Sequence, residues 1–238
     1  MIQRTGSTGN PHNALPGLFI YLLPGLEQMV LFSSIDLTLS QISTTNITQA
    51  IKYTVIPEYV FPSWPHAKTF SNLGDTAAAY CDGAISNYVG SNGATDTNDH
   101  LDNGLFFARS SNVAESAVAA ISRSSLPTRR VRDGLSNTLA TVEFAHIDSP
   151  QLSANTYSAA PGNVRRWTMS ASGVTGDQTM WSAKAIRYAP NQVVNRALPS
   201  PTTSFSTLPP GSFHPGGINA LMGDGAVRFV SDMVSPVA

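Results

Sequence analysis

The stretch SFHPGGINALMGDGAVRFVSD, Ser212 to Asp232, decides how the C-terminal end of this chain folds. Ile218–Met222 and Ala226–Val230 are two strand-forming runs joined through Gly223-Asp224-Gly225. Asp-Gly is a favoured two-residue hairpin turn, because both positions accept a positive φ. With Asp224-Gly225 as the turn, Gly223 faces Ala226, Met222 faces Val227 and Ala220 faces Phe229. The same register carries Gly217 opposite Asp232 and brings His214 near Ser235. A histidine upstream of an aspartate invites reading as a catalytic pair. Yet Ile218 to Met222 alone extend roughly 17 Å at about 3.4 Å per residue, and a His–Asp pair works at about 2.6–3.2 Å. The two residues therefore belong to opposite ends of a hairpin. Asp224-Gly225 makes its turn, and His214-Pro215-Gly216-Gly217 makes the corner leading into it, with His214 packed or hydrogen-bonded near the C-terminal tail.

Working outward, the 238 residues fit one domain, and a 42% hydrophobic content is enough for a sizeable core. Charged residues are only 12%, about half of the roughly 25% usual in soluble domains. Ser, Thr, Asn, Gly and Pro fill the gap, which suits loops and antiparallel sheet in an exported protein. The formal net charge of -1 gives no basic stripe for nucleic acid. Arg129, Arg130 and Arg132 read as a solvated turn. Cys81 is the single cysteine, so no intrachain disulfide forms. The most apolar run, Leu15 to Phe32, is broken by Pro16, Gly17, Pro24 and Gly25, whereas a membrane span wants about 20 uninterrupted apolar residues. No charged leader opens the chain, which as written carries no export signal.

Residues 1–14 read as an irregular N-terminal segment and 15–238 as one domain, with the C-terminal hairpin at 217–232. Leu26, Met29, Val30 and Phe32 have the spacing of a short amphipathic helix. Ala50–Phe61 is rich in β-branched and aromatic residues and reads as an edge or bulged strand interrupted by Pro57. Gly83–Gly93 reads as a strand entering a glycine turn. Asn112 followed by Glu115 caps a helix whose Val113, Ala117 and Ile121 share one face. Strands are expected near Thr138–Ile147, Arg165–Ala171 and Ala183–Ala189. The fold class is α+β, mainly antiparallel, with short helices and long loops.

Five motifs in this order resemble one known family. His214 with Asp224-Gly225 matches its C-terminal H-x(9)-D-G motif. Leu23, Pro24, Leu26, Glu27 and Gln28 resemble its Leu-Pro-x-Leu-Glu-Gln segment. Pro62 and Ser63 remain of its Cys-Pro-Ser element, with Phe61 in the cysteine position. Ser86, Tyr88 and Gly90 resemble its Ser-x-Tyr-x-Gly strand. Asp133, Gly134, Ser136, Asn137, Thr138 and Glu143 resemble its Asp-Gly-x-Ser-Asn-Thr signature. Together they resemble the prepilin-processing-associated proteins grouped as domain of unknown function 1559. The resemblance implies a pilin- or pseudopilin-like exported protein with a β-rich head, in the cell envelope or outside the cell. Family members open with a prepilin leader and an apolar anchoring helix, which this sequence lacks. No reaction is implied. His214, Gly216, Gly217, Asn219, Asp224 and Gly225 take structural roles, as do the residues of the Asp133–Glu143 signature. Within that signature Asp133-Gly134 turns the chain, and the Ser136, Asn137 and Thr138 side chains bond nearby backbone amides.

Three other places carry chemistry-bearing side chains. Asp96, Asn98, Asp99 and Asp102 form the best calcium candidate, an acid-rich loop that departs from the EF-hand pattern at His100 and Leu101. Glu143, His146 and Asp148 would share a metal only in part, because a strand throws 143 and 146 to opposite sides. Trp64, Trp167, Trp181 and Tyr188 could line a glycan face or a core. No nucleophile elbow, zincin helix, phosphate loop or dinucleotide fingerprint is present. The expectation is a non-enzymatic assembly protein without a cofactor, contacting other pseudopilin-like subunits or a secretion apparatus. A surface module binding glycan or calcium is the alternative, and a hydrolase using His146 or His214 is the third.

Overall fold

The computed structural model describes residues 17–37, 39, 46–71, 82–93, 104–106, 128–146, 164–169, 171–174, 177–180, 182–194 and 208–234. The architecture is α+β, with short helices and mixed sheets. The N-terminal part is helical: α1 (Leu18–Leu22), a 3₁₀ turn over Leu23–Leu26, and α2 (Met29–Ser33). Glu27 takes a left-handed conformation (φ 59) and the Gln28 N–H returns to the Leu23 carbonyl at 2.9 Å, so the Leu-Pro-x-Leu-Glu-Gln segment is a helical corner. Half of the expected amphipathic face is realised: Leu26 and Phe32 pack against the core, while Met29 and Val30 are 54% and 88% exposed. Leu23, in the preceding turn, is fully buried.

The strand expected over Ala50–Phe61 is absent. That stretch holds α3 (Gln49–Tyr53) and a 3₁₀ turn over Pro57–Tyr59. Thr48 caps α3 by accepting the Ile51 N–H at 3.4 Å, and Ile51 turns into the core. Local capping and one well-placed anchor outweigh the β-branched composition.

Among the described residues ten short strands follow: β1 (Thr69–Phe70), β2 (Gly83–Ser86), β3 (Tyr88–Gly93), β4 (Leu139–Glu143), β5 (Arg165–Arg166), β6 (Ala171–Val174), β7 (Asp177–Met180), β8 (Ala183–Ala185), β9 (Gly217–Met222) and β10 (Val227–Ser231). The central five-stranded sheet runs β10-β9-β4-β3-β8. Its first four strands pair antiparallel, but β3 and β8 are parallel, so the sheet is mixed. β1-β2-β5 form a small antiparallel sheet, and β6 and β7 pair separately. The run expected as one strand around Gly83–Gly93 is divided at Asn87 between two sheets. The fully buried Asn87 explains the break. Its N–H bonds Tyr59, its carbonyl receives Phe144, and its side chain receives the Phe61 N–H.

The terminal hairpin forms one residue out of the expected register. Val227 faces Leu221, Arg228 faces Ala220, and Phe229 faces Asn219. The loop has three residues, Gly223-Asp224-Gly225, closed by Gly225 N–H to Met222 O at 3.0 Å and Met222 N–H to Ala226 O at 2.8 Å. Only Gly225 takes the left-handed position (φ 89), and Asp224 Oδ1 accepts the Ala226 N–H at 2.9 Å. This is a type I turn with a glycine bulge rather than a two-residue turn. The slip decides which side chains face inward: Ile218, Ala220 and Met222 are buried, while Leu221, Val227 and Phe229 are exposed.

Two apolar clusters hold the structure. One gathers Phe61, Val89, Val142, Phe144, Ile218 and Ala220 around the central sheet. The other gathers Phe19, Ile20, Leu23, Ile56, Tyr59 and Trp167 under the helical part. Tyr88 packs against both.

Candidate functional site

The H-x(9)-D-G motif is pulled apart by the hairpin. Asp224 lies in the closed end, and His214 lies beyond the open end, where Ser231 faces Gly217. His214 has another carboxylate. Its Nε2 is 3.3 Å from Oε1 of Glu143, whose side chain is only 2% exposed. Its expected neighbour Ser235 is outside the described residues, while the end of the hairpin meets the His214 corner through Asp232 N–H to Gly216 O at 2.9 Å.

Sheet register brings the carboxylate to this point. Glu143 ends β4 and faces Tyr88 across the β3–β4 ladder. On the other side Val142 faces Ala220, so the next step sets Glu143 opposite Asn219. Glu143 Oε2 accepts the Asn219 N–H at 2.7 Å and Oε1 accepts its side-chain amide at 3.2 Å. A buried carboxylate is costly unless hydrogen-bonded, and these donors meet the cost. Burial pushes the Tyr88 phenol up, and the Glu143 charge adds to that.

The corner that delivers His214 is locked by its own bonds. Ser212 Oγ donates to Gly217 O at 2.8 Å and accepts the His214 N–H at 3.0 Å. Asn191, left-handed at φ 58, accepts the Ser212 N–H at 2.9 Å. Gly216 is left-handed (φ 80). A Cβ on Gly217 would meet Val230 O at 2.2 Å, so the hairpin closes only on glycine there.

The Pro62-Ser63 element reaches the same place. Ser63 Oγ is 3.4 Å from His214 Nε2, and Phe61, 1% exposed, has its ring centroid 6.3 Å from that of His214 and 6.2 Å from that of Tyr88. Ser, His and Glu thus meet, but not as a relay. A hydrolytic triad places its acid on one imidazole nitrogen and its nucleophile on the other. Here Glu143 and Ser63 both approach Nε2. The arrangement clamps a corner onto a sheet.

The Asp133–Thr138 signature lies at the hairpin's other end. Gly134 is left-handed (φ 81) and a 3₁₀ turn covers Leu135–Asn137. Asn137 donates to Asp133 O at 3.0 Å and Thr138 Oγ1 to Gly134 O at 3.0 Å. These side chains bond backbone carbonyls rather than the amides expected, and the Gly134 carbonyl also accepts the Asn137 N–H at 3.0 Å. Ser136 is half-buried within the turn. Thr138 O accepts the Gly223 N–H at 2.8 Å, tying the signature to the hairpin loop.

Four of the five motifs therefore meet along β4 and β9, and the helical corner at Leu23 anchors the neighbouring core. The model for the protein family of unknown function DUF1559 matches residues 3–236. The chain belongs to the DUF1559 family. No curated protein and no solved structure matches it. Within this DUF1559 chain, Phe61, expected at the start of the Pro62-Ser63 element, is a core aromatic, 1% exposed.

The remaining candidates divide. Asp96, Asn98, Asp99, Asp102 and Trp181 are outside the described residues, as are Asp148 and the helix expected after Asn112. Glu143 turns to His214 rather than His146, and His146 is buried. Among the described residues no group of three His, Cys, Asp or Glu side chains converges as metal ligands would. Trp167 is fully buried, with its indole N–H on Thr54 O at 3.0 Å, and Trp64 is 8% exposed, so neither offers an open stacking face. Among the described residues no helix is long and apolar enough to cross a membrane.

Composition gave no sign of a second polar knot. Asp82 receives both the Lys52 ammonium and the Tyr53 hydroxyl. Burial alone would raise its carboxyl, but those two bonds and the charges of Lys52 and Arg166 outweigh it and hold it below the usual carboxylate range. The Tyr53 phenol is pushed up, first by its bond to Asp82 and then by burial. The adjacent Gly83 (φ 139) leaves no room for a Cβ, with Lys52 O at 2.5 Å. A Cys-Asp-Gly run after an aromatic segment was the available signal.

Proposed function

We propose that this DUF1559 protein is a non-enzymatic, exported, pseudopilin-like head, a structural subunit of the type II secretion or type IV pilus kind. One observation carries the reading: the motif side chains bond within the molecule, to one another or to nearby backbone. Glu143, His214, Asn219, Asn137, Thr138 and Asp224 close corners and turns within the molecule. A motif spent on architecture suits a subunit selected to hold a shape. The exposed apolar residues Tyr21, Leu22, Met29 and Val30 on the helical part supply a surface for a neighbouring subunit.

The test is photo-cross-linking in the native cell, with a photoreactive residue at Val30. The reading expects adducts with secretion or pilus subunits in the envelope fraction. Protein confined to the cytoplasm, without such adducts, overturns it. A glycan-binding reading draws on the exposed His66 and Phe213 rings, whose centroids lie 5.8 Å apart beside the buried Trp64. Calorimetry against a glycan panel, with calcium present and absent, separates it from the assembly role.

A further inference from the structure

We propose that β10 is a self-pairing edge, through which two copies of this chain join their central sheets about a two-fold axis at Phe229. β10 ends the strand order, and among the described residues nothing pairs with its outer side. It holds no proline, and its ladder with β9 runs through five consecutive pairs without a bulge. Natural edges are usually blunted by such devices.

The hydrogen-bond phase fixes what the edge offers. Met222 N–H bonds Ala226 O, and Asp232 N–H bonds Gly216 O. Antiparallel bonding alternates, so Arg228 and Val230 bond inward to β9. Val227, Phe229 and Ser231 turn their N–H and C=O groups outward. An antiparallel copy centred on Phe229 sets Phe229 against Phe229 and Val227 against Ser231, and every outward group then meets a partner group. No other centre within β10 satisfies all three residues inside the strand.

Side chains favour the same occupant. Val227 and Phe229 are 68% and 56% exposed and share a face with Leu221. Pairing gathers these residues from both copies into one apolar surface. Arg228, on the other face, resists an uncharged or basic strand. In the two-fold pair it faces Val230 of the second copy, with that copy's Asp232 on one diagonal and its Arg228 on the other. Such diagonals span about 7–8 Å, within reach of an arginine. The pair therefore sets two Arg–Asp diagonals against one Arg–Arg diagonal, a net attraction. This inference stands on the strand's chemistry, and the assembly role above can fail without it.

Cysteine cross-linking in a Cys81→Ser background tests the register. Phe229→Cys brings two thiols onto the axis, with Cα atoms about 5.5 Å apart, inside disulfide range. It should form a covalent dimer under mild oxidation. Val227→Cys should not, because its partner position is 231. Sedimentation equilibrium should show wild-type dimers, loss of dimer in Arg228→Asp and in Asp232→Arg, and recovery in the double exchange. These variants change exposed or half-exposed side chains, so circular dichroism should remain unchanged. A monomer at all concentrations, equal cross-linking at 227 and 229, or a double exchange without recovery would each overturn the proposal. So would a wild-type monomer that floats with lipid vesicles through Phe229.

Discussion

At the residue scale the molecule turns on Glu143. Its carboxylate is 2% exposed and holds Asn219 and His214 together. Removing it leaves the Asn219 N–H without its acceptor, and hydrogen bonds to charged groups contribute about 1.5–3 kcal/mol each. Glu143→Ala should therefore lose about 3 kcal/mol or more in urea unfolding, while Glu143→Gln, which keeps an acceptor oxygen for Asn219, should lose less. An equal loss for both would place the stabilisation elsewhere. Asp82 gives a pH prediction. Its folded pKa lies below the ordinary value, so in acid the unfolded chain binds more protons. The stability it contributes is complete above the ordinary carboxylate range and drains away as pH falls through that range toward the folded value. Asp82→Asn should flatten the acid limb of a stability–pH curve and leave its shape near neutral pH unchanged.

At the scale of elements, the hairpin separates two uses of glycine. Gly225 is left-handed with open space around it, so Gly225→Ala carries only the conformational cost, about 1–2 kcal/mol. Gly217→Ala drives a Cβ into Val230 O at 2.2 Å. It should cost more and open the hairpin's base, read as faster amide exchange at Asp232, whose N–H bonds Gly216 O. These elements were unevenly legible. The hairpin was readable because a Gly-Asp-Gly run between two apolar stretches has few other uses, but its register depended on which glycine took the left-handed position. β4 was readable from its alternation. Ala50–Phe61 was misread, since composition says little when one threonine cap and one buried isoleucine decide the conformation.

At the scale of the whole molecule, two apolar clusters share Tyr88, and the rings of Tyr59 and Trp167 meet at 6.1 Å within one of them. Trp64 belongs to the sheet cluster and Trp167 to the helical one. If the clusters unfold as one domain, Trp64→Phe and Trp167→Phe proteins should each show coincident fluorescence and circular dichroism transitions. Separated midpoints would divide the chain into two cooperative units.

The sequence by itself determined the family, the α+β class and the separation of His214 from Asp224. Each follows from local chemistry, namely turn residues, alternation and the reach of an extended strand. Only the tertiary structure decided that His214 belongs to Glu143 and Ser63, residues 71 and 151 positions away along the chain. That meeting depends on sheet order and on a bulge between Leu139 and Thr141. Partner choice across a sheet is a non-local energy balance, and no short stretch of sequence records it.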